Sequence, residues 1–133
     1  MIVVDTNLIG YLLLASERSS QAEQAFRRDP EWSAPLLWRS ELRNVLAVQM
    51  RLGRIDLEHA QEVMSQAEEL MRGHEYAVTS LSVLRLAAES GCSAYDCEFV
   101  TLAQDLNIPL VTLDRQVLTA FPHTAVSLDA FSA

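Results

Sequence analysis

Apolar residues along the chain fall into two kinds of pattern: short solid runs, and stripes at helical spacing. Met1–Val4 and Ile108–Leu113 are solid runs, and Val3, Val4, Ile108, Val111 and Thr112 give them β-branched character. Both predict strands covered on their two faces. Helical spacing predicts helices over Leu8–Ala15, Ser19–Arg28, Leu36–Leu52, from an Asp56 cap to Met71, over Ser80–Ser90, and over Arg115–Phe121. A further helix runs from Ala94 to a turn at Asp105–Asn107. Gly53, Gly73 and Gly91 are read as stops. Shorter strands are expected at Trp32–Ala34, Tyr76–Thr79 and Ala125–Leu128. Strands alternating with helices imply an α/β fold, a single domain with a mainly parallel central sheet flanked by helices.

Four acids interrupt this pattern where an acid is expensive. Asp5 follows the first strand at once, and Asp114 follows the strand Ile108–Leu113 in the same way. The plain reading of Asp5 is a helix cap, but its echo at Asp114 favours a functional role. At about 100° per residue, Cys92, Phe99, Val100 and Ala103 lie within roughly 60° of Asp96, which puts that carboxylate in the middle of a face expected to be buried. Glu98 and Asp105 fall on the side expected to meet solvent. Leu37, Trp38, Val45, Val48 and Leu52 surround Glu41 in the same way, and Arg39 and Arg43 of its own helix point elsewhere. A buried carboxylate without a compensating cation or donor is costly. In open parallel sheets ligands bind at the carboxyl ends of the strands. The four carboxylates are therefore expected to converge on one pocket there.

Carboxylates packed together raise one another's pKa unless a cation intervenes. An all-oxygen set selects hard cations, Mg²⁺ or Mn²⁺, over Zn²⁺. Such an ion supplies a bound water as nucleophile and offsets charge developing on a phosphate. The chemistry this predicts is metal-assisted phosphodiester hydrolysis.

Composition narrows the field. The chain has 133 residues, half of them apolar and 21% charged, which suits one globular domain. All ten basic residues are arginine, so chemistry that requires a lysine is excluded, including that of phosphoacceptor receiver domains and dehalogenase-type phosphatases. The net charge of −8 argues against a broad electrostatic footprint for nucleic acid. Local positive charge would then have to hold a phosphate backbone, and Arg115, directly after Asp114, is the candidate. Cys92 and Cys97 are the only cysteines and are read as free buried thiols. His59 and His74 lack matching ligands nearby in sequence and are read as surface or satisfied histidines. The longest apolar run, Leu8–Ala15, is too short for a membrane span and lacks preceding basic residues, so a cytoplasmic protein is expected.

The sequence Val3-Val4-Asp5-Thr6-Asn7, the helical Glu41, Tyr95-Asp96 at the opening of a helix, and Val111-Thr112-Leu113-Asp114 together resemble the PIN-domain ribonucleases. Size and helix arrangement are similar to the VapC toxins of bacterial toxin–antitoxin pairs, and the resemblance spans essentially the whole chain. It implies metal ligands at Asp5, Glu41, Asp96 and Asp114. It assigns Asn7 to holding the site's geometry and Thr112 to orienting a ligand or water. It further implies Mg²⁺- or Mn²⁺-dependent cleavage of RNA, a homodimer, and an antitoxin protein that blocks the site. The competing reading is a PIN-like scaffold that binds RNA or a partner without cutting; an intact set of four acids argues against it.

Overall fold

The computed structural model describes residues 1–133. Its sheet has five parallel strands in the order β3-β2-β1-β4-β5: β1 (Ile2–Val4), β2 (Trp32–Pro35), β3 (Glu75–Tyr76), β4 (Leu110–Thr112) and β5 (Ala125–Ser127). Every residue of β1, β2 and β4 is buried, and side chains alternate faces along a strand, so these three strands are covered on both sides. The strands are shorter than the apolar runs that announce them. Ile108 and Pro109 precede β4, although the Pro109 carbonyl accepts from the Val3 amide at 2.9 Å, and the third strand is Glu75–Tyr76, not Tyr76–Thr79.

Helices fill the crossovers. These are α1 (Thr6–Leu13), α2 (Ser19–Arg28), α3 (Trp38–Arg51), α4 (Leu57–Leu70), α5 (Ser80–Ser90), α6 (Ala94–Leu106) and α7 (Arg115–Ala120). A last short helix, α8 (Leu128–Phe131), stands where the sequence pattern predicts only the end of a strand. Its Ser127 cap and the buried Leu128 carry it, and Arg28 ties it to α2 through the Phe131 carbonyl. Gly53, Gly73 and Gly91 have φ of +70°, +79° and +75°, and Asn107 takes the left-handed region at the end of α6, all at the predicted stops. No helix is long and apolar enough to cross a membrane.

Two helices differ in phase from their sequence readings. Along α3 the buried stripe is Trp38, Leu42 and Leu46, which leaves Glu41 on its shoulder rather than at the centre of the apolar face. In α6 every residue from Phe99 to Ala103 is buried, because β1, β2 and β4 cover one side and α5 packs on another. Glu98, assigned to solvent, is therefore half-buried, whereas Asp105 is exposed as expected. Along α4 the predicted stripe is buried at Ala60, Val63, Met64 and Ala67, but Leu57 is exposed.

Candidate active site

Strand order decides where the site opens. β1 leads leftward to β2 and β3, while β4 and β5 extend the sheet on the other side, so the connections diverge between β1 and β4. That divergence is the place where open α/β sheets form a crevice at the carboxyl ends of their strands. Asp5 and Asp114 are the residues directly beyond those two strands, or separated from them by Leu113 alone.

Each of the four acids is held at a helix N-terminus. Asp5 caps α1, its Oδ1 accepting from the Asn7 amide at 3.4 Å. Asp114 caps α7, its Oδ1 accepting from the Val117 amide at 3.0 Å. Asp96 lies in the first turn of α6, where its own amide donates to the Ser93 cap at 3.0 Å. Glu41 lies in the first turn of α3. The cap reading and the functional reading of Asp5 are thus compatible, since capping uses one carboxylate oxygen only.

Threonine hydroxyls aim the carboxylates. Thr112 Oγ1 donates to Asp5 Oδ2 at 2.8 Å and accepts from the Asp114 amide at 3.0 Å, which couples the ends of β1 and β4. Thr6 Oγ1 donates to Glu41 Oε1 at 2.8 Å, coupling α1 to α3. Both threonines are buried. The internal salt bridge that might have explained Glu41 is absent: Arg39 pairs with Glu75 and Glu68 instead.

All four carboxylates line one cleft of about 590 Å³, together with Thr6, Asn7, Ser40, Asn44 and Tyr95. Beneath it lies a void of about 20 Å³ lined by Asp5, Glu41, Asp96 and Thr112, with Phe99, Leu110 and Val117 behind. That space admits a particle the size of one water. As they are oriented, however, no three acidic, histidine or cysteine side chains are grouped so as to hold a metal ion.

Electrostatics set these acids apart from the rest of the surface. Burial pushes the Asp5 carboxyl above its ordinary value; Asp96 and Asp114 add to the rise, and the Thr112 and Asn7 donors oppose it. Glu41 is raised first by burial and then by Asp5, Asp96 and Glu98, against the pull of Thr6. Asp96 is raised by burial and by Asp114, against Ser93. Carboxyls raised by burial, with charged neighbours adding to the rise inside a cleft, are of the kind that cluster at functional sites.

The supporting residues sit as follows. Asn7 is exposed at the cleft and reaches Asp5 through its backbone amide. Thr112 orients the Asp5 carboxylate from behind. Arg115 is exposed, makes no ion pair, and is not part of the cleft lining. Thr6 is the residue that sequence reasoning missed, having entered only as part of the Val3–Asn7 stretch with no role of its own; the acid immediately before it was the available signal. His74, read as surface or satisfied, has a buried Nδ1 without a partner. Cys92 and Cys97 are free and buried, as expected.

Comparison with known proteins agrees with this geometry. Residues 2–124 match the PIN domain family. The curated protein "Ribonuclease VapC3" from Pyrobaculum aerophilum is 32% identical over 124 residues, spanning 91% of this chain and 95% of the relative. The crystal structure of PAE2754 from the same organism superposes with a TM-score of 0.77 at 23% identity, over 98% of this chain and 92% of that one, and supports the fold. A family match along nearly the full length, carried by a sheet whose strand ends bear the acids, has one meaning: the chain belongs to the PIN-domain family.

Proposed function

We propose that the protein is a metal-dependent endoribonuclease of the VapC type, hydrolysing RNA phosphodiester bonds in the cleft between β1 and β4. The observation that carries this reading is the convergence of Asp5, Glu41, Asp96 and Asp114 from four helix N-termini into one cleft, with three of them pushed above their ordinary pKa. A cluster that resists ionisation when empty is a site that gains from a cation.

The donor set fits Mg²⁺ or Mn²⁺: carboxylate and hydroxyl oxygens only, around a water-sized void. Asp5, Glu41, Asp96 and Asp114 would hold the ion. Such an ion supplies Lewis acidity and a bound water of lowered pKa. The chain's own residues do the positioning. Thr112 and Thr6 fix the two most enclosed carboxylates, the caps of α1 and α7 fix the main chain on either side of the crevice, and Tyr95 and Asn44 shape its walls. Arg115, unpaired at the first position of α7, is free to engage a phosphate at the rim through paired hydrogen bonds.

The similarity to a VapC ribonuclease extends the reading to its biology: a toxin blocked by a cognate antitoxin protein, a homodimer, and action in the cytoplasm. Incubating a single-stranded RNA with the protein, with Mg²⁺, Mn²⁺ or EDTA, tests the chemistry. Asp5→Ala and Asp96→Ala should abolish metal-dependent cleavage while the protein stays folded, and Asp105→Ala, exposed on the far side of α6, should cleave like the wild type. Full activity in either of the first two variants would reject the site. Metal-saturated protein that binds RNA but never cuts it would favour the scaffold reading.

A further inference from the structure

The acidic cleft does not end at its acids. Asn7 and Val45 also line a second hollow of about 440 Å³, which runs between α1 and α3 past Gly10, Tyr11, Gln49 and Arg54. We propose that this groove receives a nucleotide flanking the cut phosphate, its base against the Tyr11 ring and its phosphate on the Arg54 guanidinium. The proposal rests on the ribonuclease reading and names how that site holds its substrate.

Four observations support a nucleic-acid occupant. The groove is continuous with the cleft through two shared residues, so a strand lying across the acids has this hollow beside it. Arg54 is exposed, forms no ion pair, and its guanidinium makes one hydrogen bond, donating to Gln49 Oε1 at 3.5 Å. On a chain of net charge −8, an arginine left without an acidic partner beside a cleft of four acids offers charge complementarity to a phosphate. One acid, Glu17, lines the hollow as well but does not pair with Arg54. Tyr11 is half-exposed and packs its inner side on the core, which leaves ring surface for a base. Aromatic stacking with arginine alongside is how single strands are held without base-edge readout.

The fourth observation is a glycine. Gly10 lies in the middle of α1, where glycine weakens a helix relative to alanine. It is buried, yet a Cβ added there would meet nothing within 4 Å beyond its own turn. Packing does not require the glycine, and a side chain placed there has the hollow to enter.

The test is steady-state cleavage of a defined single-stranded RNA in Mn²⁺ across a salt series. It compares wild type with Arg54→Gln, Arg54→Lys and Gly10→Leu. Arg54→Gln should raise KM about tenfold, with the loss in KM rather than kcat, and lower the slope of log KM against log salt by about 0.7. Arg54→Lys should restore most of that slope. Gly10→Leu, whose side chain enters the groove, should raise KM similarly while its melting temperature is held or increased, which a purely structural role would not produce. Wild-type cleavage with KM and slope unchanged in Arg54→Gln and Gly10→Leu would overturn the groove while the ribonuclease reading stood; the same result is expected if the hollow takes a protein segment instead. A wild type that neither cuts nor binds RNA with metal present would remove both.

Discussion

Replacing Thr6 with valine isolates one hydrogen bond in the site. Thr6 is 3% exposed and donates to Glu41 Oε1 at 2.8 Å; valine keeps its branched shape and deletes the donor. A hydrogen bond to a charged group contributes roughly 1.5–3 kcal/mol. Glu41 is only half-buried, so water recovers part of the loss, and the added methyl gains burial; a net cost of about 1 kcal/mol remains. For a chain of this length that lowers Tm by roughly 3–5 °C at neutral pH. The sign of the pH effect follows from the direction of the shift. Thr6 pulls the Glu41 pKa down against burial, so its loss lets that pKa climb further. The stability difference between Thr6→Val and wild type should therefore shrink on acidification below the titration of Glu41, where the favoured charged form is gone. The acidic limb of RNA cleavage should move to higher pH. Metal-free thermal melts at pH 7 and pH 4, with a cleavage pH profile, measure both. An equal Tm loss at the two pH values together with an unmoved acidic limb would show that Thr6 only packs, and that Glu41 is positioned by something else.

Mn²⁺ or Mg²⁺ should raise Tm by mass action, and Asp96→Asn should shrink that rise; identical melts of wild type with and without metal would refute a shared ion site. Without metal, Asp5, Glu41 and Asp96 bind protons more tightly in the fold than in the unfolded chain, so their contribution to stability falls as pH climbs through their raised values, in a window that opens near their ordinary values of 3.8, 4.5 and 3.8. Glu75, lowered by Arg39, works in the opposite sense but is common to both proteins, so subtracting the Asp96→Asn melts from those of wild type should expose the fall; a difference flat in pH would count against it. In an Asp96→Asn background, Arg115→Ala should weaken RNA binding and flatten its salt dependence without altering metal affinity; an unchanged salt slope would return Arg115 to the ordinary surface.

The positions of Asp5 and Asp114 were legible because a solid apolar run fixes a strand's end to within a residue or two, and both acids stand just past such ends. Asp96 and Glu41 were legible as acids on apolar helices, but their phase was not. A helical wheel assumes one buried face, and α6 has more than one because α5 lies on it. Glu98 was misplaced for that reason, and Glu41 because Trp38, Leu42 and Leu46 outcompete Leu37 and Val45 for the core. Strand order was not legible at all. Three- and four-residue strands carry no pairing code, so the divergence between β1 and β4 that opens the crevice emerges only in three dimensions. Thr6 escaped because a hydroxyl's partner 35 residues away leaves no trace in local spacing.

Four acids in one crevice repel one another and oppose the packing of the elements that carry them. Here each stands at the N-terminal end of a different helix, where the aligned peptide dipoles present partial positive charge. Two are caps, whose backbone donors are satisfied by the same carboxylates that face the cleft. The repulsion is thereby offset in part by the fold's own amides rather than by arginines. No arginine lines the site: Arg39 is turned away onto Glu75, Arg115 is outside the lining, and Arg54 lies in the adjoining groove. An arginine within the cleft would lower the acids' pKa and stabilise the empty protein, and for that reason it would weaken metal binding. The raised values of Asp5, Glu41 and Asp96 come first from burial, with neighbouring carboxylates adding to the rise and no arginine in the lining to oppose it.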